Sequence, residues 1–195
     1  MKFEDLKLHN SLQKAVKDQN YETPTSIQAK AIPLILDRND VLGTAQTGTG
    51  KTAAFSLPIL HHLENESQNQ GSRKVKALIV TPTRELAIQI AENFTDYSKY
   101  NTIKNTVIYG GVKQIKQVKR LDAGVDVLIA TPGRLLDLIG QGYITLINVK
   151  YFVLDEADRM LDMGFINDIK KIIKMLPEKR QSLFFSATMP KNILE

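Results

Sequence analysis

Cysteine is absent from the 195 residues, which excludes disulfides and thiolate-metal centres. No apolar stretch approaches the roughly 18 residues that cross a bilayer as a helix. The start, Met1-Lys2-Phe3-Glu4-Asp5, is acidic and lacks the apolar core of a secretion leader. These absences set a cytoplasmic protein with no membrane partner as the expectation. Internal repeats and low-complexity tracts are also missing. The excess of one charge is small: 26 Lys and Arg against 21 Asp and Glu give a net value of +5, compatible with a nucleic-acid partner without pointing to one. What is present is a globular composition, 43% hydrophobic, in a chain long enough for one α/β domain with a substantial core.

Apolar spacing predicts helices over residues 8–16, from Thr25 as N-cap through 36, and over 51–63, 85–97, 114–121, 135–139 and 166–176. Short β-branched or aromatic runs predict strands at 41–43, 77–80, 106–109, 125–129, 151–154 and 183–185. These runs alternate little between apolar and polar, as strands covered on both faces do. Helices alternating with such strands predict a mostly parallel central sheet with helices on both faces. The polar run 64–74 reads as an exposed loop.

Ala45-Gln46-Thr47-Gly48-Thr49-Gly50-Lys51-Thr52 lies between the first strand and a helix. Strand, glycine-rich turn, Gly-Lys-Thr and helix is the context of a phosphate-binding loop. Gly48 and Gly50 let the backbone curl so that its N–H groups converge on phosphate oxygens. Lys51 can reach the outer phosphates, and the Thr52 hydroxyl can ligate Mg²⁺. Ala45 stands where the simplest pattern has glycine.

Asp155-Glu156-Ala157-Asp158 follows an apolar strand. A carboxylate there, beside a phosphate loop, can hold Mg²⁺ through water, and Glu156 can orient or deprotonate a water. An ordinary acidic turn is the plainer alternative. His61 and His62 are adjacent but have no evident third ligand for a metal. Met160 and Met163 read as packing residues. Lys170, Lys171 and Lys174 read as a solvated helix face.

With Asp155-Glu156-Ala157-Asp158 the chain resembles the DEAD-box ATP-dependent RNA helicases, first RecA-like domain. The segment Asn20-Tyr21-Glu22-Thr23-Pro24-Thr25-Ser26-Ile27-Gln28 looks like that family's adenine-reading motif, with Phe3 as its upstream aromatic. Asn20 replaces a usual glycine and Ser26 a common proline. Pro82-Thr83-Arg84-Glu85-Leu86, Gly110-Gly111 and Thr131-Pro132-Gly133-Arg134 look like its RNA-contacting motifs. Ser186-Ala187-Thr188 looks like the motif that couples ATP to RNA. The likeness runs from Phe3 to about Pro190. Asp96-Tyr97-Ser98-Lys99-Tyr100 and residues 159–165 look closest to the bacterial RhlE-like branch.

The resemblance implies a RecA-like P-loop domain over residues 1–195, with 1–36 as the adenine-reading segment. It implies ATP and Mg²⁺ as cofactors, with Thr52 and Asp155 on the metal and Lys51, Asp155 and Glu156 in catalysis. Tyr21, Thr23, Gln28 and residues 45–52 would hold the nucleotide. The partners implied are RNA, gripped by its backbone, and a second RecA-like domain that carries arginine fingers and lies outside these residues.

Residue chemistry supports these roles and leaves alternatives. The Gln28 amide matches the N6 and N7 edge of adenine, yet glutamines on helices are usually solvated. Thr83, Arg84, Thr131 and Arg134 suit phosphate contacts near helix starts, yet threonines there also cap helices. Ser186 and Thr188 can reach Asp158 or simply end a strand. A non-enzymatic ATP- or RNA-binding module and a DNA-unwinding motor are the competing functional readings.

Overall fold

The computed structural model describes residues 1–66 and 71–188. The short apolar runs pair into one six-stranded sheet: β1 (Val41–Thr44), β2 (Ala77–Val80), β3 (Asn105–Ile108), β4 (Val127–Ala130), β5 (Tyr151–Asp155) and β6 (Gln181–Ser186). Their order is β1-β6-β5-β2-β4-β3, and every pairing is parallel. Ile79 stands opposite Val153 on one side and Ile129 on the other.

Side-chain alternation along these strands feeds two separate cores. Ile79, Ile129, Val153 and Leu183 pack with α1 (Asn10–Asp18), α2 (Ser26–Leu36), α3 (Lys51–Glu66) and α4 (Arg84–Tyr97). Leu78, Leu128, Phe152 and Leu154 pack with α5 (Ile115–Asp122), α6 (Pro132–Gly140), α7 (Ala157–Asp162) and α8 (Ile166–Met175). The central strands β2, β4 and β5 are buried on both faces, which is why their sequences are almost continuously apolar, while the edge strands β1 and β3 are partly exposed. The α/β class and parallel sheet are as the sequence predicts.

Boundaries differ where local chemistry intervenes. The helix expected from 135 begins at Pro132, because proline is suited to the first turn, where an N–H has no partner to lose. The strand expected from 125 begins at Val127; Asp126 instead accepts from the Lys104 N–H at 2.9 Å and from Arg73 at 2.6 Å. Helix α3 runs on to Glu66, into the expected loop 64–74, of which 67–70 lie outside the described residues. So does Pro190, near the end of the resemblance. Helix α7 was not predicted; at six residues it is too short to show a period. Met160 is fully buried, but Met163 is exposed and does not pack as expected. No helix among the described residues is long and apolar enough to cross a membrane.

All three histidines meet at the far end of α3. The His9 backbone N–H donates to His61 Nδ1 at 2.9 Å, joining the N-terminal segment to α3. His62 Nε2 lies 3.0 Å from the Ile35 carbonyl, and its ring stacks on Tyr151 with centroids 5.5 Å apart. Burial chiefly holds both His61 and His62 below the usual imidazole range. Around His61 stand His62, His9, Glu64 and Arg38; around His62 stand Arg38 and Glu66.

A depressed histidine pKa favours the neutral form, so this stabilisation is present above 6.5 and is lost as pH falls through the folded value. An imidazolium has no lone pair at Nδ1 for the His9 N–H. His61→Asn keeps an acceptor there without titrating. We expect wild type to lose more thermal stability than His61→Asn between about pH 7.5 and about pH 5.5 by calorimetry. Equal losses would refute the linkage.

Candidate functional site

Because every strand is parallel, all six C-terminal ends open on one rim, where α/β sheets place their ligands. The rim divides into two halves. The ends of β1, β5 and β6 deliver residues 45–52, 155–158 and 186–188. The ends of β2, β3 and β4 deliver 82–84, 110–111 and 131–134.

In the first half, Lys51 at the start of α3 is buried and turned onto the acidic pair. Its Nζ lies 3.2 Å from Asp155 Oδ1 and 3.2 Å from Glu156 Oε1. The Thr47 hydroxyl donates to Glu156 Oε1 at 3.3 Å, and Arg159 Nη1 lies 3.4 Å from Glu156 Oε2. Asp155 is only 1% exposed. Lys51 meets its Oδ1 at ion-pair distance but off the hydrogen-bonding direction, so that oxygen has no hydrogen-bond partner. Burial, with a smaller contribution from the neighbouring Glu156 charge, outweighs Lys51 and pushes the Asp155 carboxyl up to about 6. Glu156 reaches its place through a left-handed backbone, φ 54 and ψ 49, a conformation that costs a non-glycine residue about 1–3 kcal/mol. Within the loop, Gln46, Gly48 and Thr52 are not buried, Ala45 N–H donates to the Ser186 carbonyl at 3.1 Å, and the Thr49 hydroxyl donates to the Gln46 carbonyl at 2.6 Å.

The segment 20–28 meets this loop through one side chain. Thr25 caps α2, accepting from the Gln28 N–H, while Gln28 Oε1 accepts from the Thr25 N–H at 3.0 Å. Gln28 Nε2 then donates to the Gly50 carbonyl at 3.0 Å. Gln28 is 4% exposed, so it is not a solvated helix-surface residue. Nor is its amide a free pair: one N–H and one lone pair are spent inside the fold, and one of each remains. Gly50 admits this contact because it has no side chain; a Cβ there would sit 2.4 Å from Gln28 Nε2, and φ is +81. Tyr21 is not brought to the loop by any contact. Its ring packs on Phe3, 5.7 Å away, and Tyr97, 6.3 Å away, while Phe3 itself is buried in the core. Thr23 is exposed in the turn between.

Asp158 ties β6 to α7. Its N–H donates to Ser186 Oγ at 3.1 Å, and its Oδ2 accepts from the Thr188 N–H at 3.2 Å and hydroxyl at 3.3 Å. Burial works against this carboxylate, but these bonds and the Arg159 N–H hold it below its usual range.

On the second half of the rim, Pro82 and Pro132 are buried while Arg84 is exposed, its guanidinium 4.9 Å from the Tyr109 ring centre. Thr83 caps α4 through Leu86 N–H at 3.3 Å; Thr131 occupies the cap position of α6 without a side-chain capping bond. Arg134 departs from the expectation of an outward phosphate ligand. Its side chain is 12% exposed, and its guanidinium donates to the Val112 carbonyl at 2.9 Å and Gln117 Oε1 at 3.1 Å. Gly111 has φ +80, but Gly110 and Gly133 have neither positive φ nor any atom within 4 Å of a built Cβ. Internal packing therefore gives no reason for glycine at either position. Gln117, Tyr109 and Arg159 were not among the residues the sequence singled out. Their roles depend on contacts between elements, and no local pattern marks them.

The DEAD/DEAH box helicase family model matches residues 25–195. The chain is 48% identical over 193 residues to the ATP-dependent RNA helicase CshA of Limosilactobacillus reuteri, covering 99% of this chain and 38% of that protein. It is 47% identical over 192 residues to the ATP-dependent RNA helicase DeaD of Escherichia coli strain K12, covering 98% and 30%. A solved DEAD box protein from the hyperthermophile Methanococcus jannaschii superposes with a TM-score of 0.91 at 44% identity, covering all of this chain and 52% of that one. The chain thus spans well under half the length of the curated relatives it matches here.

The raised Asp155 carboxyl gives a stability test. A folded pKa above the unfolded 3.8 contributes stability below that value and loses it as pH rises through about 6. A difference of that size corresponds to about 3 kcal/mol as an upper figure. Asp155→Asn, near in shape and uncharged, should be the more stable form at about pH 8, its advantage shrinking as pH falls through 6 toward 4. Thermal melts across pH check this, and a constant difference would overturn it.

Proposed function

The chain belongs to the DEAD/DEAH box helicases, and on that premise we propose that it is the RecA-like ATP-binding domain of a cytoplasmic ATP-dependent RNA helicase. One observation carries the reading. A single rim joins a phosphate loop and acidic pair on β1, β5 and β6 to an open row of threonine, glycine and arginine turns on β2, β3 and β4. Nucleotide would occupy the first half and one RNA strand the second, gripped by backbone N–H groups and Arg84 without reading of sequence.

The acidic pair fits Mg²⁺. Asp155 Oδ1 is buried and lacks a hydrogen-bond partner. Among the described residues, no group of three or more His, Cys, Asp or Glu side chains could hold a metal. A site made of Asp155, the Thr52 hydroxyl, water and substrate phosphate suits Mg²⁺, which favours few protein ligands. When bound, Mg²⁺ neutralises charge on the outer phosphates. Lys51 would leave the carboxylates for phosphate oxygens. That exchange strips a buried carboxylate pair of its cation, so nucleotide and metal should bind together rather than singly. Glu156, released by Lys51, would orient or deprotonate the attacking water. Gln28 would use its remaining N–H and lone pair on adenine while reporting on the loop through Gly50. Asp158, Ser186 and Thr188 would link this site to the RNA half. The reading also expects a second RecA-like domain, outside these residues, to close on this rim with arginine fingers. Such fingers contribute on the order of 10³–10⁵ in rate, so this chain alone should hydrolyse ATP very slowly.

Calorimetry with ADP and GDP in the presence of Mg²⁺ tests the nucleotide half. ADP should bind at least about tenfold more tightly, a difference of about 1.4 kcal/mol, and Gln28→Ala should abolish the preference. Equal binding of the two nucleotides would remove the adenine-reading role. Competition between RNA and DNA of one sequence tests the other half, since contacts to the 2′-hydroxyl favour RNA. RNA-stimulated turnover by this chain near that of an intact helicase would overturn its dependence on a second domain.

A further inference from the structure

Helix α5 is short, and Lys116, Lys119 and Arg120 on it are exposed. Gln117 is different: it is 5% exposed. An amide is costly to bury unless its groups find partners. Gln117 Nε2 donates to the Tyr109 carbonyl at 3.1 Å, and Oε1 accepts from Arg134 Nη1 at 3.1 Å. Arg134 Nη2 donates onward to the Val112 carbonyl at 2.9 Å. These bonds grip both ends of the turn 109–112, which contains Gly110 and Gly111. The Tyr109 ring, just before the glycines, is the surface on which the Arg84 guanidinium rests. Gln117 is thus the buried junction of three strand ends: β2 through Arg84, β3 through the turn, and β4 through Arg134.

We infer that Gln117 and Arg134 form a clamp that positions the Gly110-Gly111 turn and Arg84 for the sugar-phosphate chain of single-stranded RNA, and that Arg134 acts through this clamp rather than as a phosphate ligand. This rests on the proposed RNA-binding role of the rim. The division of labour follows from the geometry. Arg84 is exposed and free to meet a phosphate; Arg134 has most of its guanidinium turned inward, with Asp137 3.8 Å from its Nε. A lysine at 134 would keep the charge but lose the planar fork that reaches Val112 and Gln117 together.

The test measures binding of a single-stranded RNA of about 10 nucleotides to this chain across salt concentrations. Five proteins are compared with wild type: Arg84→Ala, Gln117→Leu, Arg134→Lys, the Gln117→Leu/Arg134→Lys double variant, and Gln114→Ala. Gln114 and Gln141 exchange amide hydrogen bonds at 2.8 and 3.0 Å on the exposed side of the same two helices, so Gln114→Ala controls for loosening α5 from α6. Arg84→Ala should weaken binding and lower the salt slope by about one. Gln117→Leu and Arg134→Lys should each weaken binding about tenfold with the slope kept, and together should weaken it no further than either alone. Gln114→Ala should bind like wild type, and Mg²⁺-ADP affinity should be unchanged in all five. Near-wild-type binding by Arg134→Lys, or additive losses in the double variant, would overturn the clamp. If Arg84→Ala also binds RNA as wild type does, the RNA reading of the rim fails instead. Should Gln117→Leu not fold, Arg134→Lys alone still separates a charge contact from a clamp.

Discussion

A parallel sheet covered on both faces has few surfaces left for chemistry. Its faces are spent on two cores, and its C-terminal rim is where six chain segments must turn in the same direction. The phosphate loop, the acidic pair, Asp158 with Ser186 and Thr188, and the turns after β2, β3 and β4 all lie on that rim, whereas Tyr21 packs away from it on Phe3 and Tyr97. The strand order then decides the neighbours. β1 and β5 flank β6, which brings Lys51 to Asp155 across a gap no local sequence could bridge. β4 lies between β2 and β3, which sets the starts of α4 and α6 beside the Gly110-Gly111 turn.

The electrostatics of the first half follow from that proximity. Lys51, Asp155 and Glu156 are all buried, and two carboxylates face one ammonium. Removing Lys51, the one ammonium, would leave buried carboxylates unpaired, a change that typically costs about 3–5 kcal/mol. The cluster is therefore held together by Lys51 yet remains short of one positive charge; among the described residues, the exposed Arg159 stands at its edge. The raised Asp155 carboxyl, and its Oδ1 that accepts no hydrogen bond although Lys51 stands 3.2 Å away, are two expressions of that shortage. A site of this kind is stable without ligand but gains most from one that brings anion and cation together.

Much of this was legible in the sequence because it is local. Thr25 and Gln28 stand three apart before an apolar helix, and they form the reciprocal cap that such spacing implies. Asn20 replaces a glycine and takes the left-handed backbone, φ 59, that asparagine tolerates. The apolar strands, the glycine-rich turn and the acidic strand end all declare themselves within a few residues. What the sequence did not disclose is where polar groups spend their bonds across elements. Nothing near Gln28 announces that its amide is half committed to Gly50. Nothing near Arg134 announces that its guanidinium turns inward, because Gln117 and Val112 become its partners only once α5 packs beside α6. Helix α7 was missed for the opposite reason: six residues after a strand are too few to show a period.

The glycines separate internal from external demand. Gly50 must lack a side chain because Gln28 occupies that space, and its backbone is left-handed as well. Gly111 is accounted for by backbone angle alone. Gly110 and Gly133 have neither reason: their φ is ordinary and a methyl group would touch nothing in the protein. A glycine that the fold does not require costs roughly 0.5–1 kcal/mol in a helix, where Gly133 sits, relative to alanine. On the rim, beside an exposed arginine and a threonine hydroxyl not used for capping, the open space above those two glycines is available to a chain lying close against the backbone. On the RNA-binding reading proposed for this rim, a sugar-phosphate backbone would be such a chain, and its close approach would make the absence of a side chain useful at positions where the protein's own packing does not.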